Sequence, residues 1–274
     1  MGSGLYALYT AKSAIVNRMR RGDRTVLWTM DHGLGFGNHL YLWLHAHIEQ
    51  AAGRDYKVLV TDAQRPWLDR IPSLKPLTIE RANARFHDRR EWGHTPRLYQ
   101  RFGEDYDRES LQDFIRGRIL PSITVGQLST DCVVLNIRRG DYYTKYRAEY
   151  GMNVPGYVSV ALALVDAEAP LHIVSDDPSW CRTHLDGLHR GDLTFAAHDP
   201  WENFVSVSTA RTLVGTNSTF SYWGGYIGDV IHGQGRAVIM PWFHKRAING
   251  GAADQLDPRW KIVDHPPGGW DEVQ

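Results

Sequence analysis

The chain has 274 residues, 42% of them hydrophobic and 23% charged, the composition of a globular protein with a packed core. Lysine plus arginine equals aspartate plus glutamate at 31 each, so net charge gives no reason to expect nucleic acid or an acidic membrane as partner, and any anion site has to be local. Cys132 and Cys181 are too few for a disulfide framework, no apolar run approaches the roughly 20 residues of a membrane span, and the amino terminus lacks a signal-peptide core; a cytoplasmic protein with reduced, buried thiols is expected.

In chain order, residues 24–30 (RTVLWTM) read as a strand, followed by the glycine turn DHGLGFGN. A helix then runs through Gln50, with Leu40, Trp43, Leu44, His47, Ile48 and Ala51 at the spacing of one buried face. Residues 56–63 (YKVLVTDA) give the next strand, so the unit is βαβ, the seed of a parallel sheet. Residues 85–110 are crowded with charge and aromatics, show no clean period, and predict loop and short helix.

Beyond them, apolar runs at 133–137, 172–175, 193–196, 212–215 and 237–240 alternate with helical stretches at 157–165 and 203–210, the pattern of a doubly wound α/β sheet. VVLNI is apolar on successive positions, as expected of a strand covered by helices on both faces. The boundary falls near Pro121, giving Rossmann-like domains over 1–121 and 122–274, with a helix from the end of the chain as the element that would cross back.

Ligands of open parallel sheets collect beyond the carboxyl ends of the strands, and the polar signatures fall in those places. NIRRGD, SDDPSW, HDPWEN and GTNSTFSYWGG each follow one of the first four strands of the second half. Arg138 and Arg139 offer planar forks of donors suited to a pyrophosphate; the plain alternative is that they bridge to Asp141 and Glu149. Asn217, Ser218, Thr219 and Phe220 lie where a helix begins, as a phosphate cradle or as ordinary caps. Asp176 and Asp177 precede Pro178, so one can cap a helix while the other accepts from a ribose or a guanine edge. GLGFGN, with Gly33, Gly35 and Gly37, is not GxGxxG, but it marks backbone approaching a ligand, with Asn38 opening the helix. His45 and His47 face different sides of their helix, and HExxH, GxSxG and the P-loop are absent, so metal, hydrolase and NTPase readings lack their residues.

GLGFGNHLYLWLHA, LNIRRGDYY, IVSDDPSW and GTNSTFSYWGGYIG occur in an order and spacing that resembles the alpha-1,2-fucosyltransferase family, related to the alpha-1,6- and protein O-fucosyltransferases, over residues 30–240. The resemblance implies a GT-B-like α/β fold of two Rossmann-type domains with a cleft between them, and an inverting, metal-independent glycosyltransferase that uses GDP-fucose and needs no cofactor. It implies that Arg138 and Arg139 grip the diphosphate, that Asp176 or Asp177 reaches the guanosine, and that Ser218 and Thr219 complete the cradle. Gly35, Gly37 and Asn38 would line the donor from the first domain, the acceptor side. Two positions depart from the pattern: Asn136 stands where the HxRRxD histidine is expected, and His39 where a glutamine is expected. Arg139 is placed as catalytic, with Asp141, Glu149 and His32, in that order, as general-base candidates. A carbohydrate or small-molecule acceptor is implied. The alternative is a non-catalytic nucleotide-sugar or carbohydrate binder on the same scaffold.

Overall fold

Parallel β-sheets, one in each half of the chain, organise the fold. The computed structural model describes residues 8, 11, 12, 14–20, 22–30, 34–95, 97–125, 131–185, 187, 188, 191–196 and 199–271, and the chain divides into two units, Met1–Ile123 and Thr124–Gln274. His32, Gly33 and His198 lie outside the described residues.

The first unit carries β1 (Thr25–Trp28), α1 (Phe36–Ala51), β2 (Tyr56–Leu59), α2 (Arg65–Arg70), β3 (Thr78–Ile79), β4 (Arg89–Trp92) and α3 (Arg108–Phe114). Its sheet order is β3-β2-β1-β4, with every pairing parallel. Leu40, Trp43 and Leu44 of α1 are buried as expected, but so are His39, Tyr41, Leu42 and Ala46 off that stripe, while His47 and Ile48 are half-buried and Ala51 is exposed; the first half of α1 is enclosed on all sides and not on one face. β4 corrects the reading of residues 85–110 as loop and short helix. Its sequence, RREW, is three-quarters charged because it closes one edge of the sheet, where the apolar signature of a central strand is not needed.

The second unit adds β5 (Val133–Ile137), α4 (Gly140–Thr144), α5 (Arg147–Tyr150), α6 (Val154–Leu162), β6 (Leu171–Ser175), α7 (Pro178–His184), β7 (Leu193–Phe195), α8 (Pro200–Thr209), β8 (Thr212–Gly215), α9 (Thr219–His232), β9 (Ala237–Pro241), β10 (Phe243–Lys245), β11 (Gly251–Ala252) and β12 (Lys261–Val263). Six strands form one parallel sheet in the order β12-β9-β8-β5-β6-β7, while β10 and β11 form an antiparallel pair. β5 is buried at all five positions. Val133, Leu135 and Ile137 join Tyr157, Val158 and Ala161 of α6 in one core, and Asn136 turns to α9 on the other face. Each fully buried aliphatic side chain here contributes about 1.5–3 kcal/mol.

α7 and α8 both begin with proline behind an aspartate cap: Asp177 accepts from the Trp180 amide, and Asp199 from the amides of Trp201 and Glu202. The helix expected to cross back from the chain end is absent among the described residues; after α9 the chain runs through short strands, ending in β12 at the sheet edge. Cys132 and Cys181 are buried and unpaired. No helix among the described residues is long and apolar enough to cross a membrane.

Candidate functional site

Counted in chain order, the six-stranded sheet runs 6-5-4-1-2-3, so its direction of growth reverses between β5 and β8. Helices leave the two strands on opposite faces at such a point, opening a crevice beyond their carboxyl ends. Both rims of that crevice are predicted site segments, and they are bonded together. The Arg138 amide donates to Thr216 Oγ1 at 3.0 Å, and the Thr216 amide donates to the Asn136 carbonyl at 3.0 Å.

The two arginines have different surroundings. Arg138 donates from Nη2 to Asp141 Oδ1 at 2.6 Å and pairs through Nη1 with Asp176 Oδ2 at 2.8 Å. Burial opposes its charge, but Asp176 and Asp141 outweigh burial and hold the guanidinium above its ordinary range. Arg139 is 9% exposed, and its guanidinium lies 3.8 Å from the ring centres of both Tyr143 and Trp180. Its Nε is buried without a hydrogen bond, with Asp177 Oδ2 3.5 Å away, and among the described residues its terminal nitrogens donate to nothing. A guanidinium clamped by aromatic faces with its fork unspent is ready to bond an anion. Tyr143 and Trp180 were not singled out by the sequence reading, although Tyr143 is four residues after Arg139 and Trp180 ends the quoted SDDPSW.

Asp176 secures the arginine turn. Its Oδ1 accepts from the Arg139 amide at 2.7 Å while Oδ2 takes Arg138, and a Cβ at Gly140 would stand 2.4 Å from Oδ2. Asp177 Oδ1 caps α7. Asp176 thus uses both oxygens within the turn, whereas Asp177 spends one on the cap and keeps Oδ2, 3.5 Å from Arg139 Nε, on a side chain about two-fifths exposed.

On the opposite rim, Ser218 caps α9 by accepting from the Phe220 amide at 3.2 Å, and Thr219 is nearly buried in the first turn. This helix runs 14 residues, long enough to place a substantial partial positive charge at its start. Asn217 donates from Nδ2 to the carbonyls of Tyr150 and His244 at 2.9 and 3.0 Å, pinning the turn, while its buried Oδ1 has no partner. Phe220 packs edge-on to Phe204. Asn136 donates to the Val174 carbonyl at 3.2 Å and accepts from Ser221 at 2.7 Å, so its amide ties β6 and α9 to β5. The paired glycines after Trp223 are packing devices: a Cβ at Gly224 would meet Val207 at 2.2 Å, and one at Gly225 would meet the Trp260 ring at 2.6 Å.

Glu149 pairs with Lys245 at 3.1 Å, not with either arginine; both it and Asp141 keep about two-fifths of the side chain exposed. In the first unit α1 begins at Phe36, with Gly35 as its cap and no side chain capping it. Gly37 and Asn38 fall in the first turn, and Asn38 Oδ1 accepts from Gln100 Nε2 at 2.8 Å. His39 is 2% exposed, its Nδ1 unpartnered, and burial pushes its pKa down to about 4.

An arginine turn on one rim and a helix amino terminus on the other, joined at the switch point of a parallel sheet by the bond from the Arg138 amide to Thr216, mark the class: an α/β protein whose cationic and amide donors gather at the carboxyl ends of its strands. The chain belongs to glycosyl transferase family 11, whose sequence profile matches residues 93–240, more than half its length and the whole of β5 to α9. It is 30% identical over 131 residues to the galactoside 2-alpha-L-fucosyltransferase SEC1 of Bos taurus, covering 44% of this chain and 34% of that protein. It is 24% identical over 166 residues to an alpha-1,2-colitosyltransferase of Escherichia coli, covering 58% and 52%. The chain thus matches about a third to a half of the length of these curated relatives. Among solved structures it is similar to the NodZ alpha-1,6-fucosyltransferase soaked with GDP-fucose, with a TM-score of 0.42 at 11% identity, over 75% of this chain and 93% of that one.

Proposed function

We propose that the chain is an inverting, metal-independent glycosyltransferase that moves fucose, or a related sugar, from a GDP-sugar to an acceptor hydroxyl. The observation that carries the reading is the Arg139 guanidinium, stacked between Tyr143 and Trp180 with its terminal donors unspent, in a turn whose Arg138 amide bonds Thr216 just before α9. Family membership and the two relatives, named for alpha-1,2 transfer of fucose and of colitose, favour this donor class.

The acceptor oxygen attacks the anomeric carbon opposite the departing diphosphate, through a transition state resembling an oxocarbenium ion. Negative charge then grows on the leaving GDP. Arg139 donates its fork to that charge, Arg138 adds its exposed edge, and the amide of Thr219 at the start of α9 supplies a neutral donor, the preorganised stabilisation that replaces a metal. The carboxylates that hold Arg138 and Arg139 in place are set before the sugar arrives, so little reorganisation is left for the chemical step. The family resemblance gives Gly35, Gly37 and Asn38 of the first unit a supporting part in this reading. Asp141 is our first choice to take the acceptor proton and Glu149 the second.

The test is calorimetry with GDP and GDP-fucose, then a released-GDP assay over a panel of saccharide acceptors with and without EDTA, with product anomeric configuration read by NMR. Turnover that survives EDTA and inverts the anomeric centre is expected. A second reading, a non-catalytic GDP-sugar binder, draws on Asp141 and Glu149 both standing in ion pairs; GDP binding with no turnover on any acceptor would establish it. No GDP binding at all would refute both.

A further inference from the structure

The first unit holds a cationic cavity that the proposed transfer does not use. Strand pairing puts Val26 beside Arg90, so Trp28 and Arg90 share one face of the four-stranded sheet. On that face lies a cavity of about 350 Å³, whose walls include Trp28 and Leu59 and whose polar groups are Lys12, Arg20, Arg81 and Arg90. No carboxylate lines it, and among the described residues none of the four cations is ion-paired. Arg20 has a buried Nε with no hydrogen-bond partner. The Arg90 guanidinium gives one long bond, Nη2 to the Arg85 carbonyl at 3.3 Å. Burial, and then the charge of Arg20, press the Arg90 guanidinium below its ordinary range.

A second cavity in the same unit, about 560 Å³, shows the opposite treatment of charge. There Arg24 meets Asp88 at 2.8 Å, Arg65 meets Glu80 at 2.9 Å, and Lys75 meets Asp69 at 3.7 Å. Surface cations that serve only solubility are commonly balanced in this way, whereas four unbalanced ones converging on a half-apolar hollow repel each other unless an anion joins them.

We propose that the smaller cavity binds a phosphate-bearing ligand, with the phosphate among Lys12, Arg20, Arg81 and Arg90 and an apolar portion against Trp28 and Leu59. Two sources share that chemistry: a phosphorylated small molecule and a phospholipid headgroup. The lipid source gains from Leu8, Ile15 and Met19, each about two-thirds exposed and close in sequence to the cavity-lining Lys12.

The experiment uses the full chain and two probes. Inorganic pyrophosphate is titrated by calorimetry into wild type, Arg139→Ala and the double variant Arg20→Gln/Arg81→Gln. Two independent sites are expected in wild type; Arg139→Ala keeps the cavity site, and the double variant loses it or weakens it at least tenfold. Co-sedimentation with phosphatidylglycerol vesicles, compared with phosphatidylcholine vesicles, assigns the source. Selective pelleting that the double variant abolishes identifies a headgroup, and pyrophosphate binding without pelleting identifies a small molecule. Because the double variant relieves like-charge repulsion, its thermal midpoint should match or exceed wild type; if it falls, Arg81→Gln alone, at an exposed position, repeats the titration. A single class of sites that Arg139→Ala removes, binding unchanged in the charge-removed variants, or no binding of either probe overturns the proposal. Loss of only the Arg139-dependent site would instead count against the diphosphate reading in the second unit.

Discussion

The turns after β1 and after β5 occupy the same place in two sheets of the same opening order, and they are built from different materials. After β1 the chain offers glycine backbone and the uncapped start of a 16-residue helix; after β5 it offers two arginines ahead of a helix of only five residues. A long helix concentrates partial positive charge in its first amides and needs no formal cation beside them. A short helix supplies almost none, and formal charge replaces it. Formal charge in a half-buried place then has to be held, which is the work of Asp141 and Asp176 around Arg138 and of the Tyr143–Trp180 sandwich around Arg139. One turn gives its donors at no electrostatic cost; the other gives stronger donors that need a scaffold.

The largest effect tests the stronger donors. Arg139→Ala removes at least two charge-assisted bonds to the diphosphate, together about 3 kcal/mol or more, so GDP-releasing turnover should fall at least about 100-fold. Arg138→Ala should fall less, because that guanidinium already spends two nitrogens on carboxylates. Steady-state kinetics on both variants checks the order; a greater loss from Arg138→Ala would reverse the division of labour between them.

The start of α1 carries a pH signature. Free histidine takes a proton near pH 6.5, whereas buried His39 resists until about pH 4. Between those values the unfolded chain binds the proton and the folded chain does not. The stability associated with neutral His39 is therefore whole above pH 6.5 and drains as pH falls toward 4, by up to about 1.4 kcal/mol per pH unit, or about 3 kcal/mol in all. Urea unfolding at pH 7 and pH 4.5 should show His39→Gln with a smaller loss than wild type; equal losses would place the imidazole in contact with water.

How far the sequence foresaw these turns depends on what each residue spends itself on. The convergence of NIRRGD and GTNSTF was legible because strand ends in a parallel sheet share one rim, and the bond between Arg138 and Thr216 follows from that rule. What Asp176 does was not legible: a carboxylate after a strand reads equally as ligand acceptor or internal brace, and only the position of the neighbouring turn decides. β4 stayed hidden because an edge strand with charged residues has no apolar signature. The double glycine of α9 belongs to a motif read as ligand-binding, yet Val207 and Trp260 account for it.

Asn136 separates bracing from binding more sharply. Its amide is consumed by Val174 and Ser221, so Asn136→Ala leaves a buried carbonyl and a buried hydroxyl short of partners and should cost about 2 kcal/mol in urea unfolding. Donor affinity in the surviving folded fraction should change little. An Asn136→Ala protein of wild-type stability that binds GDP tenfold more weakly would move this residue from brace to ligand.

The smallest effect runs the comparison in reverse, by giving the first turn the side-chain cap that α9 already has in Ser218. Gly35 has extended backbone at φ −77° and ψ 168°, and a Cβ there meets nothing within 4 Å, so serine is sterically free to enter. Gly35→Ser should add a few tenths of a kcal/mol of stability through one new bond to an α1 amide. That amide is then no longer open to a ligand. If the glycine turn serves the donor, the gain in thermal midpoint comes with weaker GDP-sugar binding; if the turn only starts a helix, stability rises and affinity stays the same.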